Sequence, residues 1–256
     1  MNKDILITIV TPSYNQGQFI EATILSVLNQ THKNIQYIIV DGGSTDQTME
    51  VVNKYKDQID IIIHEKDKGQ TDAINKGFKL AKGELLGWIN SDDILYPDCV
   101  EKIVKAYLEK PNGAIYYNRF NNRINSQGQI TETYERNIPN REYLLSINYD
   151  VIQPGSFYKR ELVSRVGYLN VNNHYCMDLD LWLKLLNHGS IYNVSDSPSA
   201  GFRMWEETKT NTGKEKFLKN IREVLILNGA KYYSKTVRKT YWYELKVYVK
   251  YFLKLQ

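Results

Sequence analysis

Four short aliphatic runs, at 6–10, 35–40, 59–63 and 85–89, recur through the first half of the chain. Between them lie segments whose apolar residues return at helical spacing. This alternation constrains the fold more than any other feature. The runs are continuous instead of alternating with polar residues, so each is expected to be a strand buried on both faces. The intervening segments carry Phe19, Ile20, Ile24, Val27 and Leu28, then Met49, Val51, Val52 and Tyr55, then Ala73, Ile74, Gly77, Phe78 and Ala81. Strands and helices in that order make right-handed crossovers, hence an α/β fold with a Rossmann-like, mostly parallel central sheet and helices on both faces. The C-terminal ends of such strands form the ligand crevice.

Polar residues collect at those ends. After the first run come Thr11-Pro12-Ser13-Tyr14-Asn15, and after the second Asp41-Gly42-Gly43-Ser44-Thr45-Asp46. The third is followed by Glu65-Lys66-Asp67-Lys68-Gly69-Gln70 and the fourth by Asn90-Ser91-Asp92-Asp93. Each loop taken alone is explained by turn and capping chemistry: Gly42-Gly43 suits a tight turn, and Ser44, Thr45, Asp92 or Asp93 could cap a helix. Adjacent carboxylates also repel each other, and a divalent cation between them relieves that cost. Four loops opening on one sheet edge are not predicted by four independent turn explanations, so they are read as one ligand site. Neither a Gly-x-Gly-x-x-Gly turn nor a lysine-bearing phosphate loop follows the first run, which excludes the usual dinucleotide and P-loop readings.

Further along, a helix is expected over 98–109, a strand over 113–118, and a hairpin or mobile loop over the Asn-rich stretch 118–129. A short helix over 142–147 and a strand over 152–158 follow. From Leu179 the sequence turns helical, with Leu181, Trp182, Leu185 and Leu186 on one face and Asp178 near the start. Negative charge there is favoured by the helix dipole, and by itself Asp178 reads as an ordinary N-terminal residue. His174 is a chemically possible base, though a His in a loop is more often a surface or hydrogen-bonded residue, and Cys176 is a formal nucleophile for which the sequence shows no His/Asn pairing.

The series Thr8-Ile9-Val10-Thr11-Pro12-Ser13-Tyr14-Asn15, Ser26-Val27-Leu28-Asn29-Gln30-Thr31 and Val40-Asp41-Gly42-Gly43-Ser44-Thr45-Asp46 resembles the family 2 glycosyltransferases of GT-A fold. The stretch from Asp67 to Gly77 and Asn90-Ser91-Asp92-Asp93 continue the resemblance in the same order, and it runs from about 5 to 210. It implies a nucleotide-sugar donor bound by Pro12, Tyr14, Asn15, Asp41, Asp72, Asn90, Ser91, Asp92 and Arg203. Asp41 would accept from the base, and Arg203 would reach the diphosphate or serve as a structural ion pair. Asp92 and Asp93 would hold Mn²⁺ or Mg²⁺, with Asp92 favoured. Asp178 would match the Asp of the family's Glu-Asp pair, the general base of an inverting transfer, with Met177 replacing the Glu. Asp180 would be structural. Many members have Asp in place of Asn90 and His in place of Trp205.

The resemblance therefore implies an inverting, metal-dependent transferase that moves a hexose or N-acetylhexosamine from a UDP-sugar to a growing glycan, such as a lipid-linked surface-polysaccharide intermediate. The departures at Asn90, Met177 and Trp205 keep a catalytically silent nucleotide-sugar-binding module as the alternative. A GT-A domain is expected over 1–210, with a nucleotide-sugar half (1–118) and an acceptor half (119–210), and a helical extension over 211–256. That tail spaces Lys231, Lys235, Lys239, Lys246, Lys250 and Lys254 along one helical stripe. Val237, Tyr241, Leu245, Tyr248, Phe252 and Leu255 would form the opposite face, with Trp242 beside it. Such a helix suits peripheral contact with an anionic membrane, and no nucleic-acid reading module accompanies it. Two cysteines, a beginning without a leader-like pattern and no apolar run long enough to span a bilayer suggest a cytoplasmic protein, on the inner face of the cell membrane if the tail binds lipid.

Overall fold

The computed structural model describes residues 4–206 and 214–254. The chain begins β1 (Ile7–Ser13), α1 (Ile20–Leu28), β2 (Ile35–Asp41), α2 (Thr48–Lys54), β3 (Ile61–His64), α3 (Gln70–Leu80) and β4 (Leu85–Trp88). The expected alternation is thus present, with strand ends displaced by up to three residues. Next come β5 (Ile94–Leu95), α4 (Cys99–Glu109), β6 (Gly113–Tyr117), β7 (Phe120–Ile124), β8 (Ile130–Glu135) and α5 (Arg141–Ser146). The described chain ends with β9 (Phe157–Lys159), α6 (Arg160–Arg165), α7 (Met177–Leu185), β10 (Ser190–Asn193), β11 (Ala200–Arg203), α8 (Lys214–Leu227) and α9 (Lys235–Lys254).

The main sheet has seven strands in the order β10-β6-β9-β4-β1-β2-β3. All its pairings are parallel except those of β9, which lies antiparallel between β4 and β6. The strand expected over 152–158 shrinks to the short β9, because the chain turns sharply through Gly155 (φ +76°) before entering the sheet. A second sheet, β5-β11-β7-β8, stands beside the first. Its β7–β8 pair resolves the Asn-rich stretch as a hairpin closed on Asn125, whose Oδ1 accepts from the N–H groups of Gln127 and Gln129.

Alternate residues of each central strand feed two cores. Val10, Ile38, Val40, Leu86 and Trp88 face one core with α3 and α7, whereas Ile7, Ile9, Tyr37, Ile39 and Leu85 face the other with α1, α2 and α4. This double burial is what the continuous apolar runs encode. Helix α3 lies so close to β1 that a Cβ on Gly77 would stand 2.5 Å from Val10 Cγ1.

The two halves expected within 1–210 are interleaved, since β9 and β10 complete the sheet that the first half begins. Nor is the tail a separate appendage. Ile221, Val224, Leu225, Ala230 and Val237 belong to the same buried cluster as α7. Thr236 donates its hydroxyl to the Leu145 carbonyl, and Asn228 Nδ2 reaches Asp180 Oδ1 at 3.1 Å.

Candidate active site

A cavity of about 1090 Å³ runs across the C-terminal strand ends. One end is walled by the loops after β1, β2 and β3, including Pro12, Ser13, Tyr14, Gly42 and Asp67. Asn90, Ser91, Asp92 and Trp205 line its middle. The other end lies between the start of α7 and Tyr134, Tyr149, Tyr175 and Phe217.

At the first end, side chains of one loop cap the backbone of the next. The Asn15 N–H donates to Ser44 Oγ, Thr45 N–H donates to Asn15 Oδ1, and Gly17 N–H donates to Asp46 Oδ2. Asn15 adopts φ +51°, a conformation Asn tolerates better than most residues. It serves the lacing and does not line the cavity.

Asp41 is fully buried below the same loop. It accepts from the N–H groups of Gly43 and Ser44, from Ser44 Oγ, and makes a 2.7 Å contact with His64 Nδ1. The expectation that Asp41 meets a base therefore gives way to a loop-building role. Asp67 occupies the space above it: a Cβ on Gly42 would stand 2.5 Å from Asp67 Oδ2, and both residues line the cavity. Asp72 is also displaced from the wall. It accepts from Lys68 N–H and faces Lys76 at 3.7 Å, bracing the start of α3. Ser13 Oγ and Gln16 Oε1, both on cavity-lining residues, are buried without a hydrogen-bond partner among the described residues. Buried polar atoms in that condition are where a ligand gains most.

The turn after β4 separates its two carboxylates. The N–H of Asp93 closes the turn on the Asn90 carbonyl at 3.0 Å. Asp93 then points inward, fully buried, accepting from Arg203 N–H at 2.8 Å and Asn90 Nδ2 at 3.1 Å. Burial, reinforced by the neighbouring Asp92 charge, holds its carboxyl well above the ordinary range. Asp93 is thus withdrawn from the cavity that Asp92 lines, which corrects the expected pair of metal ligands. Asp92 Oδ2 accepts from Trp205 Nε1 at 3.0 Å, and Trp205 packs edge-on against Phe19. Asn90 lines the wall, held by Gln70 Nε2 at 2.7 Å.

Arg203 is only 3% exposed. Its guanidinium donates to the carbonyls of Asp92, Asn125 and Ser126 and lies 4.8 Å over the Phe19 ring. It clamps the turn from behind and is absent from the cavity wall, so the expected diphosphate contact is replaced by a structural one. The loop expected after Arg203 continues beyond Glu206 into residues outside those described.

Asp178 lines the opposite end, half-buried in the first turn of α7, with Oδ1 accepting its neighbour's N–H from Leu179 at 2.8 Å. The start of α7 is tied to α3, because Thr71 Oγ1 contacts the Asn173 carbonyl at 3.2 Å and Met177 Sδ at 3.0 Å. That bond couples the position of Asp178 to the loops of the first end. Asp180 turns away to Lys184 at 2.6 Å. His174 is exposed and off the wall. Burial raises the Cys176 thiol, as it raises Cys99 to about 12, so neither offers a thiolate.

Sequence reasoning missed Asp67, Tyr134, Tyr149, Gln153, Phe217 and Ile221 as lining residues. Only the charge of Asp67 within a strand-end loop offered a signal. The others come from elements whose placement depends on tertiary packing.

A Rossmann-like sheet with a small second sheet beside it, and one cavity lined by both Asp92 of the acidic turn and the helix-borne Asp178, is the arrangement of a GT-A fold. The chain belongs to glycosyl transferase family 2, whose sequence description matches residues 8–167. It is 36% identical over 132 residues to the hyaluronan synthase of Pasteurella multocida, covering 51% of this chain and 14% of that one. The fold is similar to S. aureus TarS in complex with UDP-GlcNAc (TM-score 0.65, 15% identity, 94% of this chain and 70% of that one). It is similar also to the mannosyltransferase PcManGT of Pyrobaculum calidifontis in complex with GDP-Man and Mn²⁺ (TM-score 0.63, 17% identity, 88% and 63%). The chain spans about 60% of the length of the first curated relatives it matches.

Proposed function

We propose that the protein is an inverting, metal-dependent glycosyltransferase. It would transfer a hexose or N-acetylhexosamine from a UDP-sugar to a hydroxyl of a growing glycan, of the kind assembled on lipid-linked intermediates of surface polysaccharides. The observation that carries this reading is the continuity of one cavity, from Pro12, Tyr14 and Asp67 past Asp92 to Asp178. The unpartnered Ser13 Oγ and Gln16 Oε1 support a polar ligand at the first end. Tyr134, Tyr149, Tyr175 and Phe217 give the other end the aromatic faces on which sugar rings pack.

In this reading Pro12, Tyr14, Asn90 and Ser91 hold the nucleotide, joined by Ser13, Gln16 and Asp67. The residues fit a divalent cation bound by one protein carboxylate, that of Asp92. Among the described residues no three His, Cys, Asp or Glu side chains gather into a cage, so phosphate and water oxygens would complete the shell. Mn²⁺ or Mg²⁺, when bound, supplies charge neutralisation for the departing diphosphate. Asp178 accepts the proton of the acceptor hydroxyl as that oxygen bonds to the anomeric carbon. The bond from that carbon to the diphosphate oxygen breaks on the opposite face, and UDP leaves. Base catalysis of this kind is worth about 10² to 10⁴ in rate.

The test is a screen of UDP-, GDP- and dTDP-sugars with Mn²⁺ and oligosaccharide acceptors, reading nucleotide release and the anomeric configuration of the product by NMR. Release from a UDP-sugar with an inverted linkage is expected. Binding without release would instead mark a silent nucleotide-sugar module, and absence of binding by every donor would overturn both.

A further inference from the structure

Helix α8 forms part of the cavity wall, and α9, packed against it, carries an exposed face on its outer side. On the inner side Phe217 and Ile221 of α8 line the cavity. Lys239 of α9 lies 5.0 Å over the ring of Tyr149 and 3.9 Å from Asp150, both of which also line it. The two helices are locked by Arg222, which pairs with Glu244 at 2.7 Å and stacks 4.0 Å from the Tyr241 ring.

The outer face departs from the expected amphipathic division. Of the expected apolar set, Val237 is buried whereas Tyr241 and Leu245 point outward; the side chains of Tyr248 and Phe252, and Leu255 as a whole, lie outside those described. With 100° between successive residues, Arg238, Trp242, Leu245 and Val249 fall on one stripe, with Lys235 and Lys246 along its edge. Trp242 is 52% and Leu245 60% exposed, and the Lys246 ammonium sits 3.4 Å from the Trp242 ring centre. At the loop before α9, Tyr232 and Tyr233 stand more than two-thirds exposed beside Lys231. Basic and apolar groups therefore share one surface. The described residues include no helix long and apolar enough to cross a membrane.

Charge decides what covers this surface. Residues 228–256 contain seven Lys or Arg and a single acid, Glu244, which is turned inward to Arg222. An exposed Trp with flanking lysines and aliphatic side chains matches the headgroup region of an anionic bilayer, where indole sits at the interface and lysine stems reach outward to phosphate. We infer that the outer face of α9 docks on an anionic lipid surface through Trp242, Leu245 and Val249, with Lys235, Arg238 and Lys246 on the headgroups. The bilayer would then lie on the far side of α9 from Tyr149 and Asp150, which line the same cavity as Asp178. Under the proposed transfer reaction, that places a lipid-held acceptor beside its base. The docking itself does not depend on that reaction.

The test is sedimentation of the full chain with phosphatidylglycerol or phosphatidylcholine vesicles, at low and high salt. Three proteins are compared: wild type, Trp242→Ser/Leu245→Ser, and Lys235→Glu/Arg238→Glu/Lys246→Glu. Wild type should partition onto the anionic vesicles and come off in high salt, and each variant should lose roughly tenfold or more of that partition. UDP binding should be unchanged in both variants, which shows that they are folded and separates this result from failure of the transferase reading. No binding to anionic vesicles, equal binding to neutral ones, or variants that sediment like wild type would overturn the inference. So would a wild-type dimer that Trp242→Ser/Leu245→Ser dissociates without changing vesicle partition, since the face would then be a protein interface.

Discussion

Arg203→Lys distinguishes a structural guanidinium from a phosphate ligand. In the folded chain the planar fork donates to three carbonyls on two different turns, those of Asp92, Asn125 and Ser126. A lysine keeps the positive charge behind Asp92 and Asp93 but replaces the fork with one compact ammonium, which can serve the two turns only in part. Hydrogen bonds from a charged donor are worth about 1.5–3 kcal/mol each. The Ser126 carbonyl lies in an exposed turn and regains water, whereas the Asp92 carbonyl sits behind the acidic turn. The expected cost is therefore about 2–4 kcal/mol, less than the sum of three bonds. Urea unfolding followed by tryptophan fluorescence measures it, and calorimetry with UDP and Mn²⁺ measures binding in the folded variant. A lower midpoint with UDP affinity kept within about threefold is expected. An unchanged midpoint with an affinity loss of about tenfold or more would refute the clamp and restore the phosphate contact.

Three further outcomes follow from the same geometry. Asp92→Asn should weaken Mn²⁺-dependent UDP binding by about tenfold or more, whereas Asp93→Asn should lower the urea midpoint and leave that binding nearly intact; equal binding losses would mean that both carboxylates face the ligand. Gly77→Ala should destabilise the fold although alanine is the better helix former by about 1 kcal/mol, because its Cβ meets buried Val10; overpacking costs about 1–3 kcal/mol, and pairing it with Val10→Ala should recover part of the loss in urea unfolding. At Asp46 partial burial raises the carboxyl, but bonds from Thr48 and from the Gly17 N–H outweigh it and leave the group below its ordinary value. Its contribution to stability is therefore complete above the usual aspartate range and fades as pH falls through the lowered value, so Asp46→Asn should flatten the acid side of a stability–pH curve.

The parallel sheet was legible because burial on both faces leaves a local trace, a continuous aliphatic run, and each strand end advertises itself with glycine, aspartate and asparagine. What stayed hidden depended on partners far along the chain. Asp92 and Asp93 are chemically equivalent in sequence; the backbone N–H of Arg203, more than a hundred residues away, draws one inward and leaves the other on the cavity wall. Phe217 and Ile221 fall in the stretch expected only as a helical extension, and nothing local says that it borders a cavity. Tyr241 and Leu245 show the same limit: periodicity groups them with Val237 on one apolar face, whereas the body of the protein meets α9 along Val237 and Thr240 and leaves Tyr241 and Leu245 exposed.

The most direct test of the account compares Asp178→Asn with wild type, using the best UDP-sugar from the donor screen and its acceptor. The account predicts UDP and donor affinities close to wild type, with the transfer rate lowered about 10² to 10⁴-fold. Near-normal transfer by Asp178→Asn, or loss of donor binding in step with transfer, would contradict the assignment of Asp178 as the base across one shared cavity.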